Sequence, residues 1–200
     1  MIPVTYSAGL MSQSFWFIEI KKVLPLIAEG RTQEEIKKYC IEQNLFGAVN
    51  ANRSRRITNY ITNRAMTLDE TEIKLFGSSD LATQKILNLI AIMRTDRLLF
   101  EFVYEVYRGR KLFGFKEITA ADIKQFFRDK ESQEPLVEGW IDSTKKRLSS
   151  CFFNFLTDAG LLTVEEKKHV ITPPLLDIAL ERYLELKGET LIIKALTGVN

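Results

Sequence analysis

The chain has 200 residues, 46% of them hydrophobic and 27% charged, with a formal net charge of +2. That balance is typical of a soluble globular protein that buries a core, and it excludes a disordered chain. The charge is too small to draw in nucleic acid through a global field, so any such binding must come from local patches.

In chain order, the first predicted helix spans Phe15 to Ala28, with Phe15, Ile18, Val23 and Ile27 among its apolar positions. Pro25 predicts a kink or an early end, and Gly30 a stop. Thr32-Gln-Glu-Glu35 has the capping-box form and opens a helix through about Gln43 that buries Ile36, Tyr39 and Cys40. Asn44 to Asn50 is a connector. Asn52 to Leu68 follows, with Ile57, Tyr60, Ile61, Ala65 and Leu68 on one apolar face. Arg55, Arg56, Asn59, Thr62 and Asn63 project elsewhere. From Ala51 to Arg64 there are four arginines and no acid. Helix, short connector and basic helix make a helix-turn-helix order, which also occurs in any helical bundle.

Asp69 to Phe76 is a short acidic helix ending at Gly77. Ser79 or Asp80 caps a long apolar segment, Leu81 to Tyr107, with a break expected near Thr95-Asp96. Its apolar residues surround most of the helix, which predicts a central, buried position. The apolar run Ile86 to Met93 is far short of the roughly 20 residues a membrane-spanning helix needs. The glycines of Gly109-Arg-Lys-Leu-Phe-Gly114 mark a boundary between an N-terminal helical domain, 1–116, and a C-terminal domain, 117–200.

Thr119-Ala-Ala-Asp122 caps the next helix, expected through Phe127 and burying Ile123, Phe126 and Phe127. Arg128 to Pro135 reads as a polar connector. The helix from Trp140 to Ala159 carries Leu148, Cys151, Phe152, Phe155, Leu156 and Ala159 on one stripe. Ser143, Lys146, Arg147, Ser150, Asn154 and Thr157 fall on the opposite face, with Lys145 at its edge. Gly160 stops the helix. Leu161–Val164 and His169–Thr172 are predicted strands around a tip at Glu165-Glu-Lys-Lys168, and Pro173-Pro174 ends the second. Leu175–Lys187 and Leu191–Leu196 complete the chain as helices. The fold class is therefore mainly α: an N-terminal helical domain with a helix-turn-helix-like unit, and a C-terminal winged-helix-like domain with a short β-hairpin.

Little points to catalysis. Neither GxxxxGK[ST] nor GxGxxG occurs. Glu34-Glu35 diverge by about 100° on a helix, and Glu165-Glu166 sit at a predicted tip. Two cysteines and one histidine, His169, are too few for a zinc site, and no cofactor is expected. Cys40 and Cys151 read as buried thiols in a reducing cytosol. The N-terminus shows no basic-then-apolar leader pattern. Most aromatics fall on core stripes; Tyr6, Trp16 and Trp140 are less constrained.

Serine, lysine, arginine and asparagine on one helix face offer the groups that phosphates and base edges accept. Arg53, Arg55 and Arg56, with Asn59 and Asn63, form one candidate contact face. Lys146, Arg147, Ser150 and Asn154 form a second, and Lys167 and Lys168 on the wing touch the backbone. About six phosphate contacts give a salt slope near −5 in log K against log salt.

Tyr6-Ser-Ala-Gly-Leu10, then Asn44-Leu-Phe, then Asn52-Arg-Ser-Arg-Arg-Ile-Thr-Asn-Tyr-Ile-Thr-Asn-Arg64, resemble the BrxA family of BREX phage-defence systems. The likeness extends through Ala159-Gly-Leu-Leu and the hairpin. It implies a cytoplasmic, non-enzymatic component that binds double-stranded DNA and works with other BREX proteins. It also implies helix-turn-helix or winged-helix units, and a likeness to an antitermination fold. The family's basic segment falls on Arg53, Arg55, Arg56 and Arg64. A membrane description also attaches to such sequences, and the short run at Ile86–Met93 argues against it. Two alternatives stay open: a protein-interaction scaffold docking acidic partners, and an RNA-binding factor.

Overall fold

Helices begin where the sequence supplies an acceptor for their free N–H groups. Thr32, Asn50, Asp69, Asp80, Asp96, Thr119 and Asp177 each accept a hydrogen bond from a backbone N–H two or three residues ahead. Such a cap stabilises by about 1 kcal/mol. In the computed structural model, which describes residue 3 and residues 5–198, these caps divide a mainly helical chain. The first part comprises α1 (Phe17–Ala28), α2 (Gln33–Glu42), α3 (Ala51–Ala65), α4 (Glu70–Ser78) and α5 (Leu81–Met93). Pro25 lies inside α1 without ending it. Ile86 through Met93 are all buried, so α5 is the central helix that its all-round apolar character requires. Among the described residues no helix is long and apolar enough to cross a membrane.

After a break at Arg94–Asp96, α6 (Arg97–Glu101) runs into a π-helical segment, Phe102–Tyr107, and on into α7 (Arg108–Leu112). Then come β1 (Glu117–Ile118), α8 (Ala120–Gln133), α9 (Pro135–Glu138), α10 (Asp142–Asp158), β2 (Leu162–Glu165), β3 (Lys168–Ile171), α11 (Ile178–Leu186) and α12 (Thr190–Thr197). The three strands form an antiparallel sheet in the order β1-β3-β2. The turn residues of the β2–β3 hairpin, Glu166 and Lys167, both take positive φ, 49° and 66°. That gives the tight two-residue connection whose twist suits a hairpin.

One apolar cluster holds buried residues from Tyr6 to Leu196, on both sides of the Gly109–Gly114 segment. Its aromatic centre is Phe102, stacked on Phe152 at 4.9 Å and edge-on to Phe126 at 5.4 Å. A second, polar tie joins distant parts of the chain. Arg94 donates to Glu72 Oε1 at 2.5 Å and also binds Glu189, while Lys187 reaches Asp69 at 2.7 Å and Glu72 at 3.1 Å. Arg94 and Glu72 are buried, so each compensates a charge that alone would be expensive to desolvate.

Several expectations are corrected. Ile18 is 68% exposed because Ile20, Val23, Leu24 and Leu26 supply the inner face of α1. Tyr39 is exposed beneath the Arg31 guanidinium rather than in the core. Thr62 is buried, its hydroxyl bonded to Thr58 O. Tyr6 is buried, its hydroxyl donating to Glu101 at 2.7 Å. The expected connector at 128–135 is helical as far as Gln133, held by buried Lys130, which pairs with Glu101 and Glu105. Trp140 and Ile141 precede α10 rather than open it. Gly77 lies within α4. Strand β1 was not foreseen.

Candidate nucleic-acid interface

The α10 helix has two faces of opposite character. Leu148, Phe152, Phe155 and Leu156 are buried, while Ser143, Lys146, Arg147, Ser150 and Asn154 are exposed. Among the described residues, no carboxylate lies within ion-pair distance of Lys146 or Arg147. Ser150 turns its hydroxyl back to Lys146 O at 3.1 Å, as exposed helix serines do. Lys145 differs from its neighbours. It is bound to Glu131 and, at 3.3 Å, to Asp142, and the Glu131 contact holds its ammonium above the usual lysine range. Its charge is already spent inside the fold, so it is a structural lysine at the edge of the face.

One flank of α10 faces α8 and the hairpin. A groove of about 620 Å³ is lined by apolar Ala120, Ile123 and Phe127, by the cations Lys124, Arg128 and Lys146, and by Glu131 and Asp142, the two partners of Lys145. Lys124 and Arg128, one α-helical turn apart, are cations the sequence reading missed; their i, i+4 spacing was the available signal. Next to it lies a smaller recess bounded by β1, Phe153 and His169. The His169 ring stacks flat on Phe153 at 3.7 Å, and burial lowers its pKa. Lys167 is exposed in the turn. Lys168 is exposed but stands 3.6 Å from Glu117, a surface pair that solvent largely screens.

The other flank of α10 faces the segment before α1. Gln13, Ser14 and Phe15 line a polar groove with Cys151, Asn154, Thr157 and Asp158. Buried Arg64 at the end of α3 fixes this segment, donating to Ser14 O at 2.8 Å and Gln13 Oε1 at 2.6 Å. Its guanidinium also lies 5.2 Å from the Trp16 ring and 5.8 Å from that of Phe155. Desolvation lowers its pKa to about 9, which still leaves it charged at neutral pH. Arg64 is therefore not on the basic surface where the resemblance placed it.

Arg53, Arg55, Arg56, Asn59 and Asn63 are exposed on α3 as expected. Arg55 is steadied by Asn52 Oδ1 at 3.0 Å, and Asn63 accepts from Gln33 at 2.7 Å. Among the described residues, no carboxylate lies within ion-pair distance of the three arginines. The structure thus keeps the α3 set and the α10 set as exposed faces, and removes Lys145 from free cations.

The model of the BrxA family matches residues 4–188. The chain belongs to the BrxA family. A relative from Bacillus cereus (strain H3081.97), described as BREX protein BrxA, is 32% identical over 96% of each chain. A second BREX protein BrxA, from Paramagnetospirillum magneticum (strain ATCC 700264 / AMB-1), is 21% identical over the same share of each. A crystal structure of an uncharacterized protein from Magnetospirillum magneticum superposes with a TM-score of 0.82 at 20% identity, covering 97% of this chain and 99% of that one. At that identity the likeness bears on the fold of the BrxA chain alone.

Proposed function

We propose that this BrxA-family chain is a non-enzymatic, cytoplasmic, duplex-DNA-binding component of a BREX phage-defence system, acting beside other BREX proteins. The observation that carries the reading is the α10 face: Lys146 and Arg147, free of carboxylate partners among the described residues, beside Ser150 and Asn154 on one exposed stripe. We read the order α7, β1, α8, α10 and a β2–β3 hairpin, with β1 on the far side of β3, as a winged helix. In such a unit the last helix before the hairpin enters a groove and the wing follows the backbone. The α3 arginines supply a second cationic face. The non-enzymatic reading is supported by the state of the usual catalytic groups: burial raises the pKa of both thiols, Cys40 and Cys151, and the His169 ring is stacked on Phe153.

The test is fluorescence anisotropy with labelled duplex DNA, single-stranded DNA and duplex RNA, using the parent, Lys146→Glu and Arg55→Glu. Saturable duplex DNA binding that falls about tenfold or more in Lys146→Glu is expected. Equal binding by parent and variants defeats the reading. Preference for duplex RNA redirects it to an RNA partner. The apolar lining of the α8–α10 groove favours a second reading, a docking surface for another BREX protein, which stands if no nucleic acid binds.

A further inference from the structure

The α3 and α10 helices both border one short segment. Tyr60 of α3 stands 3.1 Å from Ser12, hydroxyl to hydroxyl, and stacks on Trp16 at 6.0 Å. Arg64, one turn later, clamps Gln13 and Ser14. Those two residues form one wall of the groove whose other wall is Asn154 and Asp158 of α10. Helical rotation places Arg53, Arg56 and Tyr60 along the edge of α3 that faces this segment, and Arg147 and Asn154 along the corresponding edge of α10. At 1.5 Å per residue Arg56 lies about 12 Å from Arg64, and Arg147 about 12 Å from Phe155. Because Arg64 contacts Phe155, Arg56 and Arg147 stand no more than roughly 40 Å apart, within the span of a short duplex.

We infer that the Ser12–Ser14 segment joins the two basic faces into one surface, and that a single duplex lies across it from Arg56 to Arg147. This rests on the DNA-binding reading above and adds to it a stoichiometry and a new contact segment. Exposed Ser14 is suited to donate to a phosphate oxygen between the two faces, whereas Ser12 already donates to Gly9 O at 2.9 Å. Asp158 is the acid in the groove wall, so it opposes the backbone and limits affinity there.

The test uses the full chain and a labelled duplex of about 20 base pairs, long enough to span both faces. Ser14→Glu places a negative charge at the join and weakens binding about fivefold or more. Asp158→Asn removes one and tightens binding about twofold. Thr190→Glu, an exposed site on α12, stays within about twofold of the parent. Titration well above Kd gives one duplex per chain. Loss of binding in Lys146→Glu together with parental binding in both Ser14→Glu and Asp158→Asn overturns the shared surface while leaving the DNA reading standing. So does a stoichiometry of two duplexes per chain. No duplex binding by the folded parent overturns both. Thermal melts of each variant separate lost binding from lost fold.

Discussion

The two basic helices are set into the molecule by different means. The α10 helix is held by its apolar stripe: Phe152 stacks on Phe102 and Phe127, and its polar face is left free. The α3 helix is held partly by a buried cation, Arg64, whose partners are backbone carbonyls and a glutamine rather than carboxylates. An apolar stripe anchors a helix through area removed from water, which periodicity reveals. A buried arginine anchors through directed hydrogen bonds to a particular segment, and that leaves no periodic trace.

Breaking the first anchor has the largest effect. Phe152→Ala should cost about 4 kcal/mol in urea unfolding, the range for a buried aromatic replaced by a cavity. Arg64→Met should cost about 2 kcal/mol, because it leaves buried acceptors without a donor. It should also loosen residues 12–15, seen as faster amide exchange there while α10 stays protected. Equal protection in both segments would break the distinction between the two anchors.

Asp96 sharpens the comparison, since its charge is felt by Arg64 on one side and Cys151 on the other. Burial raises its pKa from 3.8 to about 6. A raised folded-state pKa means the folded protein binds the proton more tightly than the unfolded chain. The stabilisation is full below about pH 4 and is lost as pH rises through about 6. Asp96→Asn, which keeps an acceptor for Leu99 N–H, should remove that dependence. It should make the protein more stable than the parent at pH 7 by roughly 3 kcal/mol, with little difference at pH 4. An unchanged stability profile between pH 4 and 7 would show that Asp96 does not feel its burial.

The smallest effect concerns the β2–β3 hairpin. Replacing Glu166-Lys167 by Asn-Gly relaxes two positive-φ positions and should stabilise the hairpin by about 0.5 kcal/mol. If Lys167 contacts phosphate, the same change lowers the salt slope of DNA binding by about one.

Much of this was legible in the sequence. The caps at Thr32, Asp80 and Thr119, the break near Asp96, the two faces of α10 and the hairpin all follow from short-range chemistry. Strand β1 was not, because two residues carry no alternation and pair only once β3 exists. The end of α8 was missed because Lys130 looks like a connector residue until Glu101 and Glu105 are placed beside it. Among the site residues, exposure of the α3 and α10 sets followed from helical rotation. The capture of Lys145 by Glu131 and the inward turn of Arg64 depend on partners 14 and about 50 residues away. No local pattern reports them.

The central claim is that exposed cations on α3, α10 and the β2–β3 hairpin neutralise the backbone of duplex DNA. Its most direct test is the salt dependence of anisotropy-measured binding between about 50 and 200 mM salt. Roughly six phosphate contacts predict a slope near −5 in log K against log salt. Arg56→Ala and Arg147→Ala should each make it shallower by about one. A flat dependence, or slopes unmoved by both substitutions, would contradict the claim.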